Sequence, residues 1–430
     1  MSLRQNALLL ILLTGLVAIL GEWSTELARW WCVPAAALLL GLAYEVAVLR
    51  GARFQLEVRT AEHWLLGRSQ QIEFAFRQSS PRTLSIQTAL TAPGGFAVQP
   101  RVTTLQLPPG TAATASLSAA GRHLGPYDWP APAMRIGGPL RLAWWTRRIE
   151  SRCTVTVVPD VAGDRADAAG HWRVGEQRRH IAGAGAEVLQ LRDYRPGDPL
   201  RIVDWKASAR RGRPISRDMS EDQHREVMVA IDAGRASGLG AGEVDRLGLY
   251  VNTAARLAQR AADLGDAVGV LAFAAQPLAM LVPARGEAAV ARIRSLLGSC
   301  RVQPSDSNPV LAAARIRANA QRRCLVVILT DLEDASAGEQ LVEAVRLLTP
   351  KHFPFIAAFQ SARIATLGHA TVGEPLGAYR ALAALEYGNT IAGNVRALRA
   401  LGAAAVTALP EHLDRAVFEA YREFRQRRRI

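Results

Sequence analysis

Apolar positions along the chain follow three different rhythms, and each predicts a different kind of element. At the start they are continuous. Ala7 to Gly21 contains no charged residue, and Trp30 to Leu49 contains only Glu45. Crossing a bilayer as a helix takes roughly 20 apolar residues. The second run supplies them, and the first approaches that length if its flanks contribute or the membrane thins. A cleaved leader is the competing reading of the first run, but no small-x-small cleavage site follows it and the second run arrives at once. The pattern predicts a transmembrane helical hairpin over residues 1–53. Arg4, Arg50 and Arg53 flank it, whereas Glu22, Glu26 and Arg29 lie in its connection. The positive-inside bias then keeps both ends, and the bulk of the chain, in the cytoplasm, with Trp23, Trp30 and Trp31 at the outer interface.

From Phe54 to about Pro159 the rhythm shortens to period two, in runs such as QLEVR, QQIEFAFR, LSIQTAL and RCTVTVVP separated by Pro and Gly. This predicts an antiparallel β-sandwich domain over 54–159. Residues 160–226 form a connection without an apolar period as far as Ala186, followed by a charged segment. The third rhythm starts at Val227. VMVAID, AVGVLAFA, CLVVILTD, FPFIAAF and AAAVTAL are compact apolar runs with helical patterns between them. Strands alternating with helices predict a mostly parallel, Rossmann-like α/β domain over 227–409. Residues 410–430 read as a basic amphipathic C-terminal helix ending RQRRRI, suited to anionic lipid or to a plain solvated helix end.

The formal charge of +14 invites an acidic partner, but only two of the 52 basic residues are lysines, Lys206 and Lys351. Arginine and alanine excess together reflect codon bias as readily as selection, so the charge is not taken as evidence for nucleic acid. Trp129, Trp144 and Trp145 stand near arginines, and buried tryptophans with guanidinium neighbours are expected there rather than a base-stacking platform. Cys32, Cys153, Cys300 and Cys324 are scattered and form no CxxC pair, which argues against a disulfide framework or a zinc site and fits a reducing compartment.

Candidate chemistry gathers where the apolar runs end in acids, because parallel sheets admit ligands at the carboxyl ends of their strands. Asp232 and Asp331 sit at two such ends. Asp232 opens D-A-G-R-A, with the spacing of the D-x-S-x-S metal motif of von Willebrand factor A domains, in which a carboxylate and hydroxyls give magnesium hard oxygen ligands. Here the serine positions are Gly234 and Ala236. Ser307 is a candidate for the later hydroxyl and Asp331 for the last acid. Asp232, Ser307 and Asp331 thus make a degenerate magnesium site, weighed against acids that merely cap helices or tie loops. Gly183 to Glu187 lacks the Lys-Ser/Thr of a phosphate loop, Gly238 to Gly242 has the wrong glycine spacing for a dinucleotide fold, and no GxSxG or HExxH occurs.

The segment that fits no ordinary element is Leu189 to Arg217, LQLRDYRPGDPLRIVDWKASARRGRPISR. Its turn residues Pro196, Gly197 and Pro199 are set among alternating acids and arginines. We expect Asp193, Arg195, Asp198, Arg201, Asp204, Trp205 and Lys206 to pair among themselves as a seam between domains, leaving Arg210, Arg211 and Arg213 outward. With Tyr194 they constitute the signature and candidate interaction residues. Over LRDYRPGDPLRIVDWKASARRG, and in its order of parts, the chain resembles the bacterial domain-of-unknown-function family fifty-eight. The resemblance implies an inner-membrane protein with a von Willebrand factor A-like domain. It also implies an interaction or adaptor module partnered by a MoxR-type AAA+ ATPase in assembly or maturation of other proteins, its metal site completed by a partner's carboxylate; the missing hydroxyls at Gly234 and Ala236 turn the expectation toward a surface that works with no cofactor. The alternative is a divalent-metal enzyme using Asp232 and Asp331 with magnesium.

Overall fold

The computed structural model describes residues 2–20, 30–98, 101–161, 182–220, 225–361, 364, 366, 367 and 376–426. The hairpin connection with Glu22, Glu26 and Arg29, and the last four residues of the basic tail, lie outside the described residues. Two compact units emerge. One comprises Met1–Asp160 with Ser237–Asn252 and Arg294–Val302; the other comprises Val161–Ala236, Thr253–Ile293 and Gln303–Ile430.

In the first unit, α1 (Gln5–Leu20) and α2 (Cys32–Gly51) follow the two apolar runs. At 1.5 Å per residue the 16 residues of α1 reach about 24 Å, short of a ~30 Å hydrocarbon core. Among the described residues α2 alone is long and apolar enough to cross a membrane. The expected pair of spans is therefore one candidate membrane helix beside a shorter apolar one. Most of their side chains, among them Leu12, Leu16, Leu39 and Leu40, are exposed.

One face of α2 is different: Pro34, Gly41, Glu45 and Leu49 are buried. Glu45 accepts hydrogen bonds from the backbone of Leu142 (3.0 Å) and Ala143 (3.2 Å), so the single acid of the apolar run has donors in place of water. At Gly41 a Cβ would come within 2.6 Å of the Leu142 side chain, which is why the helix has none there. Ser2–Leu3 pairs with Ala143–Trp144, and the Arg4 guanidinium lies over Trp144. The helices are thus stitched at their base to the edge of a five-stranded antiparallel sheet, ordered Ser2–Leu3, Ala143–Arg147, Ala133–Gly137, Leu84–Leu90, Arg101–Leu107. A four-stranded sheet (Phe54–Arg59, Ser69–Gln78, Ala113–Gly121, Phe96–Val98) and a three-stranded one complete the β-rich part. Period-two patterning has its physical cause in Ala113–Gly121, where Ala115, Leu117, Ala119 and Gly121 point inward and the residues between them outward. Trp64, Phe96 and Trp129 form a buried aromatic cluster with ring centroids 5.3–5.7 Å apart. Trp129 is therefore a core residue.

The second unit is built on one six-stranded sheet of β1 (Glu226–Asp232), β2 (Ala267–Phe273), β3 (Pro277–Ala284), β4 (Leu325–Thr330), β5 (Phe353–Phe359) and β6 (Ala404–Ala408), ordered β3-β2-β1-β4-β5-β6. All neighbours are parallel except β2 and β3. Every residue of β2 and β4 is buried, the expected result of a sheet covered on both faces. Met228, Phe273, Val326, Ile328 and Ile356 share one core with Ile316, Leu341, Val345 and Leu398 of the helices. The C-terminal helix Pro410–Gln426 buries Leu413, Val417, Tyr421 and Phe424 along one stripe. Its Tyr421 hydroxyl (2.5 Å) and Arg425 guanidinium (2.6 Å) both donate to Asp266, which is 1% exposed. The sheet with its helices makes the protein a mixed α/β chain with several sheets.

Candidate functional site

The chain winds from β1 outward to β3 on one side and from β4 to β6 on the other, so the carboxyl ends of β1 and β4 border the point where an open α/β sheet admits ligands. Asp232 is the last residue of β1, and Thr330 is the last residue of β4 with Asp331 next to it. The loop 303–308, before the helix Pro309–Asn319, is held against the residues after β1 by backbone bonds from Gln303 to Ala233 (2.7 Å) and from Arg235 to Ser305 (2.9 Å). A third bond, from Asn308 to the carbonyl of Ala274 (2.8 Å), fixes its far end beyond β2. Asn308 also caps the helix by accepting from Leu311.

This loop carries Ser307 onto Asp232. Oδ1 of Asp232 accepts from the Ser307 hydroxyl and from the backbone of Gly234 (2.8 Å), while Oδ2 accepts from the Thr330 hydroxyl at 2.7 Å. Asp232 is 4% exposed, and these donors replace the water its carboxylate loses. The structure brings Asp232 and Ser307 into contact and places Asp331 at the adjoining strand end, itself buried. It adds Thr330, which sequence reasoning passed over, and gives Gly234, read there only as a missing hydroxyl, a role of its own. Thr330 was legible as a hydroxyl ending a strand directly before an acid. Gly234 is explained by crowding: a Cβ there would lie 2.1 Å from Ser307 Oγ and 3.2 Å from Asp232 Oδ1. A serine side chain cannot stand at 234 while Ser307 holds its place.

The donor set differs from a hydroxyl-rich magnesium shell at 234 and 236, and both oxygens of Asp232 have protein donors. Among the described residues no three His, Cys, Asp or Glu side chains are grouped to hold a metal ion.

The signature segment lies in the same unit. Ala182–Asp193 and Ile215–Ser220 pair as an antiparallel ladder, so the expected loop up to residue 186 is strand from 182 onward. The connection at the end of this ladder holds a turn, the 3-10 turn Leu200–Ile202 and the helix Trp205–Arg211. Gly197 takes φ 103° in the turn. Asp198 accepts two bonds from Arg192 (2.7 and 2.9 Å), one from the Arg195 backbone (3.0 Å) and one from Ser216 (3.1 Å). The Arg192 guanidinium, then the backbone N–H, hold its carboxyl well below the usual carboxylate range. Asp204 caps the short helix through Ala207, which together with Arg217 lowers its carboxyl also. Asp193 pairs with Arg213 at 3.0 Å, both half-exposed. The Tyr194 hydroxyl donates to the carbonyl of Asp198. Of the residues expected to pair, the three aspartates do so with Arg192, Arg213 and Arg217. Arg195, Arg201, Lys206 and Trp205 are exposed instead.

Residues 190–362 match the family model described as Protein of unknown function DUF58. The uncharacterized protein Rv1480 of Mycobacterium tuberculosis and Mb1516 of Mycobacterium bovis are each 29% identical, over 41% of this chain and 59% of theirs. The match thus spans little more than half the length of those relatives. Among solved structures, a conserved hypothetical protein BatB from Bacteroides thetaiotaomicron matches 47% of the chain and all of its own, at 13% identity and a TM-score of 0.32. A PapD-like domain of human CEP192 matches 24% of the chain at a TM-score of 0.16. Scores this low carry no fold assignment.

Proposed function

We propose that this chain, which over residues 190–362 matches the family of unknown function DUF58, is a membrane-anchored interaction module and not a catalyst. The observation that carries this reading is the state of Asp232. A carboxylate at the strand ends of an open sheet is the group best placed for chemistry. Here it is buried, and Ser307, Thr330 and Gly234 bind it from both sides. Such a carboxylate organises the loops around it, and those loops become a rigid surface. The strand order β3-β2-β1-β4-β5-β6 with one antiparallel edge, together with the placement of Asp232, Ser307 and Asp331, supports a von Willebrand factor A-like domain. In this reading the domain engages its partner without a bound cation. The apolar helix α2 supports attachment to a membrane, which the family resemblance makes the bacterial inner membrane. The arginines that follow α2, Arg50 and Arg53, favour a cytoplasmic position for the chain beyond it.

The partner implied by the resemblance is a MoxR-type AAA+ ATPase acting in assembly or maturation of other proteins. Co-purification of the full chain from detergent-solubilised cells, identified by mass spectrometry, tests it. Recovery of an ATPase in stoichiometric amount supports the module. Repeated recovery of no protein, together with a magnesium-dependent hydrolytic activity lost in Asp232→Asn, transfers the reading to the metal-enzyme alternative.

A further inference from the structure

The signature segment carries charge that its own fold does not use. Its three aspartates are engaged within the segment by Arg192, Arg213 and Arg217. Arg195, Arg201, Lys206, Arg210 and Arg211 are exposed, and among the described residues none of them forms a close ion pair with a carboxylate, although the charge of Lys206 adds to the lowering of the Asp204 carboxyl. All five lie in the connection that closes the ladder of Ala182–Asp193 and Ile215–Ser220.

Two large apolar side chains stand among these cations. Leu200 is 68% exposed and Trp205 67%. Leu200 opens the 3-10 turn and Trp205 the following helix. By contrast, Val203 in the same connection and Ile215 at the start of the following strand are buried, 3% and 0% exposed. Water satisfies guanidinium groups but not an indole and an isobutyl group, so a merely solvated face accounts for only half of this composition. A bilayer surface with anionic headgroups accounts for both halves. Phosphates take the cations, and the indole and leucine enter the headgroup boundary where tryptophan is favoured. The chain also carries a helix suited to a bilayer, so a lipid surface is at hand.

We propose that residues 195–211 dock on anionic lipid headgroups, a membrane contact separate from the apolar helices. It does not depend on the protein partner above, and the two fail separately. Full-length protein in nanodiscs of phosphatidylcholine alone, or of phosphatidylcholine with phosphatidylglycerol, is compared by hydrogen–deuterium exchange. The readout is peptides covering 194–213, with β4 as an internal control of folding. Slower exchange of 194–213 in the anionic discs only, reversed by high salt, is the expected result. Neutralising Arg201, Lys206, Arg210 or Arg211 to Gln weakens that protection by roughly fivefold each, as loss of one surface cation near an anionic leaflet predicts. Because these side chains are exposed and outside the aspartate pairs, the variants keep the fold. Equal exchange in the two discs overturns the proposal. So does equal protection from free inorganic phosphate with neutral discs. Protection that appears only on adding a protein partner also overturns it and assigns the surface to that partner.

Discussion

Replacing Thr330 by Val tests the closed carboxylate at its best-defined contact. The two side chains have nearly the same shape, so the change removes one hydroxyl donor, 2.7 Å from Asp232 Oδ2, and little packing. Asp232 is 4% exposed and has no ready water to replace that donor. A hydrogen bond to a charged group contributes ~1.5–3 kcal/mol, which corresponds to a roughly ten- to hundredfold shift in the opening equilibrium. The chain has two units and need not unfold in one step, so a single unfolding midpoint is the wrong observable. Native-state hydrogen exchange of β1 and β4 reads the local opening instead. Thr330→Val is expected to speed exchange at the carboxyl ends of both strands by that factor. In the Asp232→Asn background the same substitution is expected to matter much less, because the acceptor is no longer charged. An effect of Thr330→Val below ~0.5 kcal/mol, or one of equal size in both backgrounds, would refute the reasoning.

Gly234→Ala places a Cβ 2.1 Å from Ser307 Oγ and is expected to cost about 1–3 kcal/mol by overpacking, read as faster exchange in 303–308; no change there contradicts the crowding. Asp266→Ala strands Arg425 and Tyr421 and is expected to destabilise the helix Pro410–Gln426 by about 3–5 kcal/mol, measured by its exchange or protease release. His352 is 1% exposed, with its Nδ1 facing the backbone N–H of Cys324 at 3.4 Å and the Cys324 Sγ at 3.2 Å. Burial lowers its pKa to about 4 from an ordinary 6.5. The unfolded chain therefore binds the proton first, and stability falls as pH drops from about 6.5 to about 4. His352→Gln flattens that slope, and an unchanged slope in the variant removes His352 as its cause. In unit one, Glu45→Ala leaves the Leu142 and Ala143 amides without their acceptor and is expected to loosen the strand Ala143–Arg147 from α2, seen as faster exchange there.

The large sheet was legible because β1, β2 and β4 are continuous apolar runs, a pattern that only burial on both faces produces. Strand β3 was not. Pro277 and Pro283 and a half-exposed pattern hide it, as suits an edge strand that forms by pairing with β2. The strand Ala182–Asp193 was hidden for a related reason: its first half is glycine and alanine, and its backbone is ordered by Ile215–Ser220 rather than by its own pattern. Sequence spacing also gave no sign that Ser237–Asn252 and Arg294–Val302 cluster with the β-rich unit, because that depends on contacts far apart in the chain. At the site, Asp232 and Ser307 were found through a motif. Thr330 belongs to no motif position considered, and the need for glycine at 234 is visible only once Ser307 is in place.

Isothermal titration calorimetry of magnesium and manganese into the full-length protein tests the central claim most directly. Protein donors that close Asp232 predict no saturable heat at millimolar cation, in the wild type and in Asp232→Asn alike. Saturable binding in the wild type that disappears in Asp232→Asn contradicts the account and makes the strand-end carboxylates a working metal centre.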